Sequence, residues 1–147
     1  MYVGRALQRK NDGEIGMART ILVVDDNQDA LEAIAMIAAH CGHSVAKAVS
    51  TREALDFLDE RTDIDLVISD IRMPGVDGFD FRRVVRHRFR NLPVILVTGE
   101  SISEDDVVPR DAPILRKPIS IDDLQAAVTN ALDGAGRNAP AQKKSGQ

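Results

Sequence analysis

Four short apolar runs constrain this chain more than any other feature: Ile21-Leu22-Val23-Val24, Leu66-Val67-Ile68, Val94-Ile95-Leu96-Val97 and Ile114-Leu115. Each is continuous, not alternating, so neither face of the strand it forms is built to meet water. Such strands belong in a parallel sheet covered by helices on both sides. Val45 to Val49 is more mixed and suits an edge strand. Helical patterns fall between the runs. Residues 28 to 41 are rich in Ala, Ile and Leu and stop at Gly42, a C-terminal signal. Residues 51 to 60 follow Ser50, with Glu53 three positions later, which is a capping box. Residues 79 to 89 place Phe81, Val84 and Val85 on one side. Residues 121 to 132 place Ile121, Leu124, Val128 and Leu132 on one stripe behind Ser120 as N-cap. Strands alternating with helices predict an α/β fold with a doubly wound parallel sheet.

The regular pattern occupies residues 20–133. Residues 1–19 are polar, contain Gly4, Gly13 and Gly16, and read as a flexible leader; Met17 offers an alternative start. Residues 134–147 have the composition of a linker and are expected to form a disordered tail. No internal repeat is present. A net charge of -4 gives no prompt for nucleic acid, and the absence of Trp, with one Tyr and four Phe, leaves no platform for stacking bases. The lone Cys41 excludes an internal disulfide and suits a reducing compartment. No apolar run approaches the roughly 20 residues that span a bilayer, and the N-terminus lacks a signal-peptide core. The expectation is a cytoplasmic protein without membrane insertion.

In an open parallel sheet, ligands bind beyond the carboxyl ends of the strands. The polar residues of interest all lie there. The first run ends on Asp25-Asp26, the third strand on Asp70, the fourth on Thr98 and the fifth on Arg116-Lys117-Pro118. Taken singly, an Asp after a strand is a turn or helix-capping residue. Together, three carboxylates on one edge repel one another, and burial penalises each charge further. A hard divalent cation removes that cost, and such oxygen ligands suit Mg²⁺. Lys117 is the complementary cation for an incoming anion. Carboxylates, Mg²⁺, a lysine and a hydroxyl make a site for a phosphoryl group.

With these residues in place, the chain resembles the receiver domains of two-component response regulators. The likeness runs from about Thr20 to Leu132 and rests on "ILVVDDN", "CGHSVAKAVSTREAL", "DLVISDIRMPGVDG", "PVILVTG" and "LRKP". The resemblance implies a CheY-like, flavodoxin-like sheet of five strands in order 2-1-3-4-5. It also implies that Asp70 accepts a phosphoryl group from a histidine kinase. Asp70 would be the nucleophile; Asp26 and Asp70 would bind Mg²⁺ by side chains and Arg72 by its backbone carbonyl, with Asp25 acting directly or through water. Thr98 and Lys117 would each hold a phosphoryl oxygen, and the Lys117-Pro118 bond is cis in this family. Arg72 and Glu100 border the path of the attacking water in receivers. Being long and oppositely charged, they could pair across the mouth and lengthen the life of the phosphorylated state, although an exposed pair is itself worth only about 0.2–1 kcal/mol. The bland alternative is that both side chains point into solvent.

The chain departs from the receiver pattern between Thr98 and Lys117. "GESISEDDVVPRDAPIL" is shorter than usual, acidic and weakly periodic, and Pro109 and Pro113 disfavour helix at the residues before them. The fourth helix of the family is expected to be short or mobile here. Ile114 stands where an aromatic switch residue is usual, and Gly99 where Ala is more common. These changes bear on output, not on phosphorylation chemistry.

Other features have plain readings. Arg82, Arg83, Arg86, Arg88 and Arg90 make the third helix basic, which reads as a solvated or kinase-docking face. His40 and His43 flank Cys41-Gly42 and suit capping or surface roles, because no further metal ligands stand nearby. Cys41 reads as a small core residue. The expected function is a stand-alone phosphoacceptor receiver in a phosphorelay, a signalling protein and not an enzyme. Its expected partners are a histidine kinase and a histidine phosphotransfer protein. One alternative is a protein-binding module on the same fold that needs no phosphate. Another is a haloacid-dehalogenase-type phosphatase, which also uses an aspartyl phosphate. Its Asp-x-Asp motif after the first strand is missing, and its acidic pair comes last, whereas Asp25-Asp26 comes first.

Overall fold

A computed structural model describes residues 19–99, 108 and 112–138. The elements follow in the order β1 (Thr20–Val24), α1 (Gln28–His40), β2 (Ser44–Ala48), α2 (Thr51–Glu60), β3 (Leu66–Asp70), α3 (Gly78–Arg88), β4 (Val94–Thr98), β5 (Ile114–Arg116) and α4 (Ile121–Asn138). The five strands form one sheet in order β2-β1-β3-β4-β5, and every pairing is parallel. The expected order is therefore met. Every residue of β1, β3 and β4 is buried, as their continuous apolar runs require.

Alternate side chains of the strands feed two separate cores. Leu22, Val24, Val67 and Leu96 pack with Phe79, Phe81 and Val85 of α3 and with Ala54 and Leu58 of α2. Ile21, Val23, Ile68, Ile95 and Val97 pack with Leu31 and Ile34 of α1 and Leu124 and Val128 of α4. Burying each large aliphatic side chain stabilises the fold by about 1.5–3 kcal/mol, so the paired cores fix the sheet against both helical layers. Both edge strands are less covered. In β2, Ser44 and Val45 are half-buried. In β5, Ile114 and Leu115 are also half-buried, which corrects their reading as a strand buried on both faces.

Local capping sets where the helices begin. Asn27 accepts the N–H of Ala30 at 2.9 Å, Ser50 that of Glu53 at 3.0 Å, Asp77 that of Asp80 at 3.0 Å and Ser120 that of Asp123 at 3.0 Å. In the α2 capping box, the Glu53 carboxylate reaches back to the Val49 N–H at 2.8 Å. At the end of α1, Gly42 has φ of +96° and its N–H reaches Ala39 O at 2.9 Å, a left-handed stop that suits glycine.

Several expectations change. The last helix does not stop near Leu132 but runs to Asn138. Gly134 and Gly136 weaken a helix by only about 1 kcal/mol each relative to Ala, and Pro140 is the first strong breaker downstream. Ile121 lies on the exposed side of that helix, not on the buried stripe. Arg82 is 8% exposed; it sits one position after the fully buried Phe81 and points inward, so the basic face of α3 consists of Arg83, Arg86 and Arg88. His43 Nδ1 accepts the N–H of Arg19 at 3.3 Å, a structural role for that imidazole. The expected short or mobile helix before β5 falls on positions outside the described residues, apart from Gly99, Val108, Ala112 and Pro113.

One contact ties α3 to the end of β3. The Gly78 N–H donates to Ile71 O at 2.8 Å, and a Cβ on Gly78 would lie 2.5 Å from Asp70 O and 2.6 Å from Ile71 Cα. Both neighbours are backbone and cannot turn aside. Gly78→Ala is expected to cost about 2–3 kcal/mol, whereas Gly99→Ala meets nothing nearer than the Lys117 side chain at 3.6 Å and is expected to stay within about 0.5 kcal/mol. Denaturant midpoints of the two variants check this; equal losses would contradict it.

Candidate functional site

The parallel register brings the polar strand ends together. Val24 of β1 pairs with Ser69 of β3, so Asp25 stands one step past the pair and beside Asp70. Asp70 pairs with Val97, and Thr98 with Arg116, so Lys117 follows on the same edge. Oxygen atoms of Asp25, Asp26 and Asp70 lie within 4.8 Å of one another. The Lys117 ammonium sits 2.9 Å from Asp25 Oδ2 and 3.1 Å from Asp70 Oδ1. Thr98 is buried at the end of β4, and its carbonyl accepts the Lys117 N–H at 2.8 Å. The Lys117-Pro118 peptide is cis.

The three carboxylates are not equivalent. Asp25 is 1% exposed and has both oxygens engaged: Oδ1 accepts the Asn27 N–H at 2.9 Å and Oδ2 takes Lys117. Asp26 is exposed. Asp70 is 6% exposed and opens onto the turn that continues through Met73-Pro74-Gly75, where Gly75 takes φ of +81°. Burial, then the neighbouring Asp25 charge, pushes the Asp70 carboxyl above its ordinary range; Lys117 offsets only part of this. Burial alone would lower the Lys117 pKa, but its hydrogen bonds to Asp25 and Asp70 outweigh that and leave it raised. The edge therefore holds excess negative charge around one firmly protonated lysine.

Hard oxygen donors with uncompensated charge fit Mg²⁺. Its protein ligands would be Asp26 and Asp70, with Asp25 direct or through water and the Arg72 carbonyl from the following turn. Arg72 is half-buried, whereas Glu100 lies outside the described residues. Two further residues contribute without charge. Ser69 is fully buried and donates its hydroxyl to Asp70 O at 2.9 Å. Gly78 seals the other side of the same peptide; its place in "MPGVDG" was the available sign.

The raised Asp70 pKa has a signed consequence. The native chain holds a proton in a pH range where the unfolded chain has lost it, so this group's contribution falls as pH rises through the carboxylate range. Asp70→Asn removes the ionisation. Without divalent cation, the variant is expected to be more stable than wild type at neutral pH by on the order of 1 kcal/mol, with the gap narrowing as pH falls. Thermal melts across that range check it; a variant less stable at neutral pH would contradict it.

Comparison with known proteins agrees with this geometry. The family model for the response regulator receiver domain matches residues 21–129. Response regulator Rre1 of Synechocystis is 36% identical over 120 residues, covering 77% of this chain and 51% of that protein. The crystal structure of a receiver domain protein from Clostridium thermocellum is 32% identical with a TM-score of 0.71, covering 78% of this chain and 94% of that one. TrrA of Thermotoga maritima, crystallised in complex with Mg²⁺-BeF, is 30% identical with a TM-score of 0.70, covering 78% of this chain and 99% of that one. The chain spans between 12% and 51% of the length of the first curated relatives it matches. Among the described residues no helix is long and apolar enough to cross a membrane. By matched length, fold and strand-end chemistry, this chain belongs to the response regulator receiver domains of two-component systems.

Proposed function

We propose that Asp70 is the phosphoacceptor of a phosphorelay and takes its phosphoryl group from the phosphohistidine of a partner kinase. The observation that carries this reading is the Lys117 ammonium bridging Asp25 and Asp70 at 2.9 and 3.1 Å, beside a third carboxylate. A lysine held among three acids is already placed for an anion that arrives at Asp70.

In the proposed reaction an Asp70 carboxylate oxygen attacks phosphorus in line. An O–P bond forms as the P–N bond breaks, and the electron pair returns to the kinase imidazole. Bound Mg²⁺ would neutralise charge between the carboxylates and the phosphoryl oxygens. Lys117 would move from the Asp70 carboxylate to a phosphoryl oxygen while keeping Asp25 as its second partner. Thr98, buried one strand away from Asp70, would donate its hydroxyl to another. β3 and the contacts of Ser69 and Gly78 hold the Asp70 backbone still, which favours a near-attack geometry. A histidine phosphotransfer protein is the proposed onward partner, because an acyl phosphate can return its group to an imidazole.

Labelling with acetyl phosphate and Mg²⁺ tests the assignment. Wild type is expected to take one hydroxylamine-sensitive phosphoryl group and Asp70→Asn none; stoichiometric, hydroxylamine-resistant labelling of Asp70→Asn would end this reading. The same assay reads lifetime once the donor is removed. Arg72→Ala and Glu100→Ala are each expected to speed loss from Asp70, with the double variant no faster than the faster single. Independent multiplicative effects, or unchanged rates, would leave the two as ordinary charges.

A further inference from the structure

A second concavity lies at the edge of the sheet opposite Asp70, where the strands begin. It is a cavity of about 520 Å³, within the roughly 300–1,000 Å³ of small-molecule sites. Leu58 from α2, Ile64 before β3, Leu92 before β4, Phe89 after α3 and Leu132 from α4 make its apolar floor. Leu58, Ile64 and Leu92 are fixed members of the sheet core, and Phe89 and Leu132 are half-buried at its rim. The floor is thus preformed by the fold.

The rim is cationic. Arg19, Arg61 and Arg90 all line it. Arg61 is held in place by Asp63 through two hydrogen bonds of 3.1 and 2.8 Å, and this pairing also spends its charge. The one lining carboxylate, Asp65, accepts the Thr20 N–H at 2.8 Å and so serves the β1 backbone. Arg90 is exposed and Arg19 half-buried, and neither guanidinium forms an ion pair with a described residue. Two guanidiniums over an apolar floor complement a ligand with one anionic end and one apolar end. A purely polar anion would leave the floor wet. A neutral apolar molecule would leave the arginines without partners.

We infer that this cavity binds a small amphiphilic anion, a carboxylate head on an aliphatic or aromatic body. The carboxylate lies between Arg19 and Arg90, and the body lies on Leu58, Ile64, Leu92 and Phe89. The site is built from elements remote from Asp70 and works without it.

Decanoate, kept below its micelle concentration, is the probe, with decyltrimethylammonium as the charge-reversed control. In amide NMR titrations of the full chain, decanoate is expected to shift signals of residues 61–65 and 89–92 to saturation, while the cation shifts none of them. Arg19→Gln/Arg90→Gln is expected to keep the fold and to bind decanoate roughly tenfold or more weakly. Asp70→Asn is expected to bind as wild type does, which separates this site from the phosphoacceptor assignment. Equal binding of anion and cation, shifts scattered away from the cavity, or unchanged affinity in the double variant would each overturn the inference.

Discussion

One ammonium holds the working edge of this protein together. Lys117 reaches Asp25 and Asp70 at once, and without it two nearly buried carboxylates would face each other with no cation among the described side chains bridging them. Leaving a buried charge unpaired is among the larger losses a fold can suffer. Yet Lys117 does not balance the site: burial and Asp25 still push Asp70 above its ordinary range. The fold tolerates this imbalance because the sheet leaves no choice. Parallel pairing of β1, β3, β4 and β5 brings their carboxyl ends to one line, and two packed cores hold that line rigid. Stability is given up at the edge and recovered in the layers below it.

The same geometry accounts for the residues that carry no charge. Ser69 and Gly78 approach the Asp70 peptide from two sides, one by a hydroxyl hydrogen bond and one by the lack of a Cβ. Asn27 caps α1 with its side chain while its N–H orients Asp25. For the proposed phosphoryl transfer, acidity alone gains little; the carboxylate has to be aimed, and these contacts hold its peptide in place. The carboxylates and the lysine supply charge, and their neighbours supply direction.

Much of this was legible in the residues. Continuous runs such as Ile21–Val24 suit strands covered on both faces, and their alternation with helical segments pointed to the parallel sheet, and with it the convergence of Asp25, Asp26, Asp70, Thr98 and Lys117. Other features depend on what lies across the fold, which no local pattern records. Ile114 and Leu115 look like a strand buried on both faces, but among the described residues no strand pairs with the far side of β5 and they remain half-covered. Arg82 looks like its basic neighbours, yet the turn of α3 carries it inward. The extension of α4 to Asn138 reflects how little two glycines weigh against a helix already anchored by Leu124 and Val128. The cavity under Arg19 and Arg90 draws on four separate stretches of chain and left no mark in any of them.

The central claim is that the clustered carboxylates form a divalent-cation site serving Asp70. It is tested most directly by titrating the unphosphorylated chain with Mg²⁺ alone and following amide shifts in wild type and Asp26→Ala. Asp26 is exposed, so its replacement leaves the cores intact and removes one oxygen donor. The account predicts saturable shifts at Asp25, Asp26, Asp70 and Arg72 in wild type, and binding several-fold weaker or lost in Asp26→Ala. Identical titrations of the two proteins, or shifts that never reach this edge, would contradict it.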